Sequence, residues 1–163
     1  MRLRATLGSL LFLLVAPGVV AGLVPWLLTG WRPTGDVPAP VAAAGALLVA
    51  AGTAALLHAF ARFVLEGLGT PAPLAPTRRL VVGGLYRHVR NPMYLAVGAA
   101  IAGQALLLGR PVLLLYLVAF AAAVAAFVHG YEEPTLAAAY GEQYDAYRRA
   151  VPGWWPRLRP WAG

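Results

Sequence analysis

Four long runs without a charged side chain limit how this chain can fold more than any other feature. They are Ala5–Leu28, Ala39–Phe60, Pro92–Leu108 and Val112–Phe127. The first two contain 24 and 22 residues, and a helix needs roughly 20 apolar residues to cross the hydrocarbon layer of a membrane. A chain segment in lipid must also satisfy its own backbone hydrogen bonds, which favours helices. The sequence therefore predicts an all-α, polytopic membrane bundle with about four transmembrane helices.

Composition supports this fold class and excludes several alternatives. Only 12% of the residues are charged and the mean hydropathy is +0.68, whereas a soluble domain carries about a quarter charged residues. The absence of cysteine excludes disulfides and thiolate metal sites, and we expect no bound metal. The net charge of +7 comes from 13 arginines, which gather at the ends of the apolar runs. This distribution favours contact with membrane lipids over nucleic acid.

We expect one membrane-embedded domain, 1–163, with the first two spans in 1–61 and a second part in 77–156. The first run is longer than a signal-peptide core, so we expect it to be retained as a helix kinked by Pro17 or Pro25. Gly67–Pro76 is rich in glycine and proline and is typical of a loop. The turn between the third and fourth runs is Gly-Arg-Pro at 109–111, in which Gly ends one helix and Pro begins the next.

The arginines also predict the orientation. If the N-terminus lies inside, eleven of them fall on one side and only Arg32 and Arg110 on the other. Cytoplasmic loops carry the excess of basic residues. The sequence therefore predicts an integral protein of the cytoplasmic (inner) membrane with both termini in the cytoplasm.

A basic and aromatic stretch, Gly84–Tyr94, precedes the third run. Arg87, His88 and Arg90 lie within four positions and are followed by Asn91 and then proline. Asn is a favoured N-cap residue and proline is favoured at the first helical position, so a polar loop leads directly into a membrane helix.

The only paired acids, Glu132 and Glu133, lie where the fourth run stops. The predicted orientation places them on the same membrane face as Gly84–Tyr94, and we expect the two regions to form one polar pocket. The acids could instead simply mark a helix end, and the arginines could be lipid anchors. Past Pro134, residues 136, 140, 144 and 147 recur at helical spacing, which predicts a C-terminal amphipathic helix on the membrane surface.

The order of these motifs resembles one superfamily of integral membrane enzymes. Gly-Leu-Tyr-Arg-His-Val-Arg-Asn-Pro-Met-Tyr is followed by a two-span hairpin, Glu-Glu-x-x-Leu, Tyr-Gly-x-x-Tyr-x-x-Tyr and Val-Pro. The pattern is similar to the isoprenylcysteine carboxyl methyltransferase and phospholipid methyltransferase superfamily, over roughly Thr77 to Pro156. One departure is Arg-Asn-Pro where the family pattern usually reads Arg-His-Pro. Asn91 can donate and accept hydrogen bonds but cannot titrate near neutral pH.

The resemblance implies S-adenosylmethionine as cofactor and a lipophilic small molecule or a lipid as methyl acceptor. It implies cofactor contacts from a set of residues at the predicted pocket: His88, Arg90, Asn91, Tyr94, Glu132 and Glu133. It also implies that Arg148 and Arg149, with Tyr144 nearby, hold an acidic acceptor group as catalytic-site residues. Carboxylates suit the ribose diol or the ammonium group, and basic or amide donors suit the carboxylate of the methionine part.

The reaction implied is direct in-line methyl transfer, in which the protein aligns the reactants and excludes water. Two alternatives remain open. One is an NADPH-dependent membrane reductase of the sterol-reductase type, and the other is a non-catalytic membrane scaffold. The sequence selects neither the acceptor, a carboxylate or an amine, nor the oligomeric state.

Overall fold

A computed structural model describes residues 15–62, 65 and 79–162, which contain helices and irregular segments but no strand. We number the helices α1 to α5 in chain order. They are Val15–Thr29, Ala39–Arg62, Pro92–Leu108, Val112–Tyr140 and Glu142–Ala150. A 3-10 turn, Gly84–Arg87, precedes α3. The predicted start of the first span, Arg2, Arg4, the loop Gly67–Pro76 and Arg78 all lie outside the described residues.

The outer surface of the helices is apolar. Within the described residues, α2 and α4 are long and apolar enough to cross a membrane, and α1 and α3 are shorter apolar helices. Side chains that would be core residues in a soluble protein face outward, such as Leu47 (71% exposed), Leu115 (73%) and Val118 (68%). Such contiguous exposed apolar surface fits lipid rather than water. The protein is an all-α membrane bundle, as the sequence predicted; the number of four spans stays a prediction.

Helices α2 and α3 pack together through glycines. A Cβ atom added to Gly45 would lie 2.5 Å from the backbone nitrogen of Leu107, and one added to Gly103 would lie 2.7 Å from the carbonyl oxygen of Gly45. Small residues allow membrane helices this close approach. On α3, Gly103 meets α2, whereas Gly98 faces Leu117 of α4.

Helix α1 contains a π-helical segment, Val19–Leu23, directly before Pro25. The backbone N–H of Val24 donates to Val19, and proline has no N–H, so the carbonyls of Val20 and Ala21 lose their usual donors. Side chains from two other helices replace them. The Tyr116 hydroxyl donates to Val20 at 2.9 Å, and Gln104 Nε2 donates to Ala21 at 2.7 Å. Pro25 therefore perturbs the helix, as predicted, but neighbouring helices satisfy its backbone.

A π-helical segment before a proline also occurs near the end of the fourth span, in α4. A π segment, Val128–Glu132, precedes Pro134, and the N–H of Glu133 donates to the carbonyl of Val128. The helix therefore continues through the proline to Tyr140. The prediction of one amphipathic helix from Pro134 onward was wrong because the π turn accommodates the proline. The break comes at Gly141 (φ 51°, ψ −129°), a backbone conformation open to glycine.

The short helix α5 is the amphipathic element. Tyr144 and Tyr147 are buried, with Val151, against Leu136 and Tyr140 at the end of α4. The acidic and basic residues of α5 are exposed. Tyr140, Tyr144 and Tyr147, which the sequence placed at helical spacing, therefore form a packing surface. Gly141 divides them between two helices.

Candidate functional site

The loop before α3, residues 79–91, is held in place by the C-terminal tail, residues 151–162. Backbone N–H groups pair the two segments: Arg90 donates to Pro152 at 2.9 Å, Arg157 donates to His88 at 3.0 Å, and Trp161 donates to Arg87 at 2.9 Å. The Arg87 guanidinium adds a bond to the carbonyl of Trp161 at 2.6 Å. The tail therefore runs along the loop and holds its backbone in place.

Arg90 is the centre of a buried polar cluster. Its Nη1 donates to Glu133 Oε1 at 2.6 Å and to the Tyr144 hydroxyl at 3.0 Å, and its Nε donates to the carbonyl of Val151 at 3.0 Å. The side chains of Arg90 and Glu133 are 13% and 7% exposed. Burial raises the pKa of Tyr144, so its hydroxyl stays neutral and accepts from Arg90. We call Arg90, Glu133 and Tyr144 the arginine clamp; it joins the loop, α4 and α5.

Glu133 has two further basic neighbours. Its Oε2 lies 3.2 Å from Nδ1 of His129 and 3.4 Å from Nη2 of Arg148, and both of these side chains are more than half exposed. With Arg90 on its other oxygen, Glu133 is fully engaged within the protein. A buried carboxylate needs such partners to remain charged.

Glu132 has a different environment. Its Oε2 accepts a hydrogen bond from the Tyr94 hydroxyl at 2.9 Å. Among the described residues no cation contacts it. The Tyr94 ring packs in turn against Trp154 of the tail, with ring centroids 6.5 Å apart. Glu132 and Tyr94 form a polar pair, but the carboxylate keeps acceptor capacity for another group.

A cavity opens beside this pair. It has a volume of about 140 Å³, and since one water needs roughly 10–15 Å³ it has room for about ten. The polar lining consists of Arg90, Asn91, Tyr94 and Glu132. The other lining residues are apolar or aromatic and come from all four longer helices and the loop: Ala16, Pro17, Val20, Leu56, Phe60, Tyr86, Pro92, Met93, Val97 and Phe120.

Two hydrogen-bond donors at the polar end have no partner among the described residues. Asn91 is 7% exposed, and its buried Nδ2 makes no hydrogen bond. It stands at the N-cap position of α3, as predicted, but its side chain does not cap the helix. Arg90 uses Nε and Nη1 but not Nη2. A Cβ added to Gly153 would lie 3.2 Å from Arg90 Nη2 and 3.6 Å from Asn91 Nδ2, so both donors lie close to the backbone of Gly153.

Comparison with protein families gives one match. The model of the phospholipid methyltransferase family matches residues 41–143. The chain belongs to this family of methyltransferases. This match confirms the resemblance to the superfamily that the sequence motifs indicated. Comparisons with curated proteins and with solved structures find no significant match.

The matched region of this phospholipid methyltransferase family member contains both halves of the polar pocket. As predicted, the Arg-Asn-Pro turn and the paired acids meet, and Arg90, Asn91, Tyr94 and Glu132 share one cavity. Glu133 lies beside them but faces the clamp. His88 does not line the cavity; its Nδ1 lies 2.8 Å from the carbonyl of Arg157.

The three residues expected to hold an acceptor also lie outside the cavity lining. Tyr144 is 2% exposed and belongs to the arginine clamp. Arg148 contacts Glu133 from the exposed side. Arg149 is exposed and has no hydrogen-bond or ion-pair partner among the residues described.

Sequence reasoning missed two parts of the site, and both lie outside the matched region. Helix α1 supplies Ala16, Pro17 and Val20 to the cavity wall, although its sequence shows only generic hydrophobicity. The C-terminal tail supplies Trp154, which packs on Tyr94. No local pattern in the sequence indicates that the tail returns to the loop.

Proposed function

We propose that this protein transfers a methyl group from S-adenosylmethionine to a lipophilic acceptor, a carboxylate or an amine, at the cytoplasmic face of the inner membrane. The observation that carries the proposal is the cavity of a methyltransferase-family chain with four polar residues at one end and apolar walls elsewhere. A cofactor that is polar and charged and an acceptor that is apolar fit such a division.

The residues at the polar end fit the cofactor. Asn91 Nδ2 and Arg90 Nη2 are donors without a partner in the described chain, and both residues line the cavity. Two N–H donors, one of them charged, suit a carboxylate such as that of the methionine part. Glu132 offers an acceptor beside them, which suits an ammonium group or a ribose diol. Asn91 thus has a role here that requires no titrating imidazole.

When bound, S-adenosylmethionine supplies a methyl group on a sulfonium, which is a good leaving group. The residues of the chain then bind, orient and exclude water. Arg90 and Asn91 hold one end of the cofactor, and Tyr94 orients the Glu132 carboxylate through its hydroxyl. The apolar walls keep bulk water from the reacting groups. Glu133 and Tyr144 act through Arg90, whose guanidinium they fix, and are positioning residues.

The proposed orientation is supported by where the arginines gather. Arg90 lies before the first residue of α3, whereas Arg110 follows its last and donates to the carbonyl of Arg32 at 2.8 Å. Arg32 and Arg110, the two arginines that the sequence assigned to the other side, therefore lie at the end of the bundle opposite to the site. Basic residues favour the cytoplasm, so we place the site and both termini there.

Arg148 and Arg149 remain proposals as holders of an acidic acceptor. Arg148 is the better placed because Glu133 holds it near the arginine clamp, while about half of its side chain is exposed. An amine acceptor would need neither arginine. Their substitution therefore discriminates between the two acceptor classes.

The test is calorimetric titration of the purified protein in nanodiscs with S-adenosylhomocysteine. We expect binding by the parent protein, and at least tenfold weaker binding by Asn91→Ala and by Glu132→Gln. Glu142→Gln, which removes an exposed acid on α5, is the matched control and should bind as the parent does. Folded protein that does not bind would overturn the proposal, and parent affinity in both site variants would overturn the residue assignment.

A parallel titration with NADPH addresses the reductase alternative. We expect no binding. Tight NADPH binding together with no response to S-adenosylhomocysteine would replace methyl transfer with reduction. Binding of neither molecule would favour a scaffold.

A further inference from the structure

The cavity continues well beyond the polar residues. Glu132 and Phe120 both line it, and both belong to α4. Twelve residues separate them, which corresponds to about 18 Å along a helix at a rise of roughly 1.5 Å per residue. The hydrocarbon core of a bilayer is about 30 Å thick. The lining of the cavity therefore extends along α4 over more than half of that thickness.

The deep end is apolar and is closed by α1. Ala16, Pro17 and Val20 contribute to it from one side, and Phe120 contributes from α4. None of these side chains offers a hydrogen bond, so the deep end has no group that would recognise the polar parts of a cofactor. It is suited to an apolar chain.

The π segment fixes this wall of α1. The carbonyls of Val20 and Ala21 accept hydrogen bonds from Tyr116 and Gln104 at 2.9 and 2.7 Å. Inside a membrane such bonds are not exchanged readily for bonds to water. Val20 is therefore a lining residue whose backbone is anchored to α4.

We propose that α1 forms a subsite for the apolar chain of the methyl acceptor and that Val20, with Phe120 opposite, sets the length of chain accepted. The proposal rests on the proposed function for its substrate, and it assigns the specificity to a helix outside the region that the family model matches, 41–143. The family-matched residues hold the cofactor and the reacting group, and α1 selects the tail.

The chain contains no cysteine, so the subsite can be probed without knowing the head group of the acceptor. Leu56→Cys places one thiol in the cavity wall. Methyl, hexyl and decyl methanethiosulfonate are applied to protein in nanodiscs, and the rate of labelling is followed by intact mass. Val97→Cys, on α3, is a second reporter in the cavity wall in case the first variant does not fold.

Two matched blocking variants are then compared. Val20→Phe fills the cavity, whereas Val19→Phe makes the same change at the neighbouring, outward-facing position, where the side chain is 38% exposed. With Val20→Phe we expect decyl labelling to slow at least tenfold and methyl labelling to change less than twofold. With Val19→Phe both rates should stay within twofold of the parent. Equal effects of the two variants, or slowing without dependence on chain length, would overturn the proposal.

A final titration separates this inference from the proposed function. Protein labelled with the decyl group should bind S-adenosylhomocysteine within twofold of the unlabelled affinity. If labelling weakens binding more than tenfold, the deep end belongs to the cofactor and the chain subsite is wrong. If unlabelled protein does not bind S-adenosylhomocysteine at all, the proposed function fails, while the length dependence still shows a subsite for an apolar chain.

Discussion

Glu132 and Glu133 are adjacent in the chain, yet they occupy two different regions of the molecule. Glu133 is held in the arginine clamp and has three basic neighbours, Arg90, His129 and Arg148. Glu132 faces the cavity with Tyr94 as its partner. Successive residues on a helix point about 100° apart, so one pair of acids can serve two surroundings. The comparison shows that Glu133 is engaged in contacts that hold the fold together, whereas Glu132 keeps acceptor capacity for a ligand.

The largest effect should come from removing Arg90, which borders both regions. Arg90→Ala leaves a 7% exposed carboxylate without its closest partner, and breaking a buried pair from one side costs about 3–5 kcal/mol. We expect a large loss of thermal stability in detergent and loss of S-adenosylhomocysteine binding. Arg90→Lys keeps the charge but not the fork of donors, and should recover only part of the stability. An unchanged melting temperature for Arg90→Ala would show that the arginine clamp does not stabilise the fold.

The direct comparison of the two acids should give the next effect. Glu133→Gln weakens charge-assisted hydrogen bonds, which contribute about 1.5–3 kcal/mol each, and should lower the melting temperature clearly. Glu132→Gln keeps a polar group beside Tyr94 and should change stability little, while it weakens ligand binding. Equal losses of stability in the two variants would mean that both acids are structural.

Tyr144→Phe should have a smaller effect. It removes one hydrogen bond from Arg90 at 3.0 Å, and a single bond of this kind contributes about 1 kcal/mol. The clamp keeps Glu133 and the Val151 carbonyl, so ligand binding should weaken only a few-fold. Tyr140→Phe, another tyrosine of the same cluster, is the control for loss of a hydroxyl outside the clamp. Complete loss of binding in Tyr144→Phe alone would indicate that this hydroxyl contacts the ligand itself.

The smallest effect on stability should come from Arg148→Ala. Its side chain is 51% exposed and lies 3.4 Å from Glu133, and ion pairs with an exposed partner contribute under about 1 kcal/mol. We expect a melting temperature within a few degrees of the parent and unchanged S-adenosylhomocysteine affinity. A selective fall in methyl transfer to carboxylate acceptors, measured with radiolabelled cofactor, would extend Arg148 to a role in acceptor binding. A large loss of stability would place it in the clamp.

The sequence predicted the parts of the fold that depend on local apolar runs and caps. The third helix has the predicted bounds, Pro92–Leu108, and Gly109 ends it in the left-handed conformation. The meeting of Arg90 with Glu133 followed from the membrane faces to which the charge pattern assigned them. These features are set by residues close together in the chain or by the requirement that charges leave the lipid.

Features that depend on contacts between distant segments could not be predicted. A separate amphipathic helix was expected after Pro134, because nothing in the local pattern shows that a π turn will carry the fourth helix past this proline. The pairing of Trp161 with Arg87 joins positions far apart in the chain. Likewise, Gln104 looks like an ordinary polar residue in a span until the freed carbonyl of Ala21 is seen.

The glycine contacts between α2 and α3 have a mechanical consequence. Backbones that approach so closely that a single added carbon would meet another backbone at 2.5–2.7 Å leave no slack for sliding or tilting. The two helices must travel as one rigid body. A movement that widened the cavity would therefore displace α1 or α4, which lack such glycine contacts, rather than separate α2 from α3.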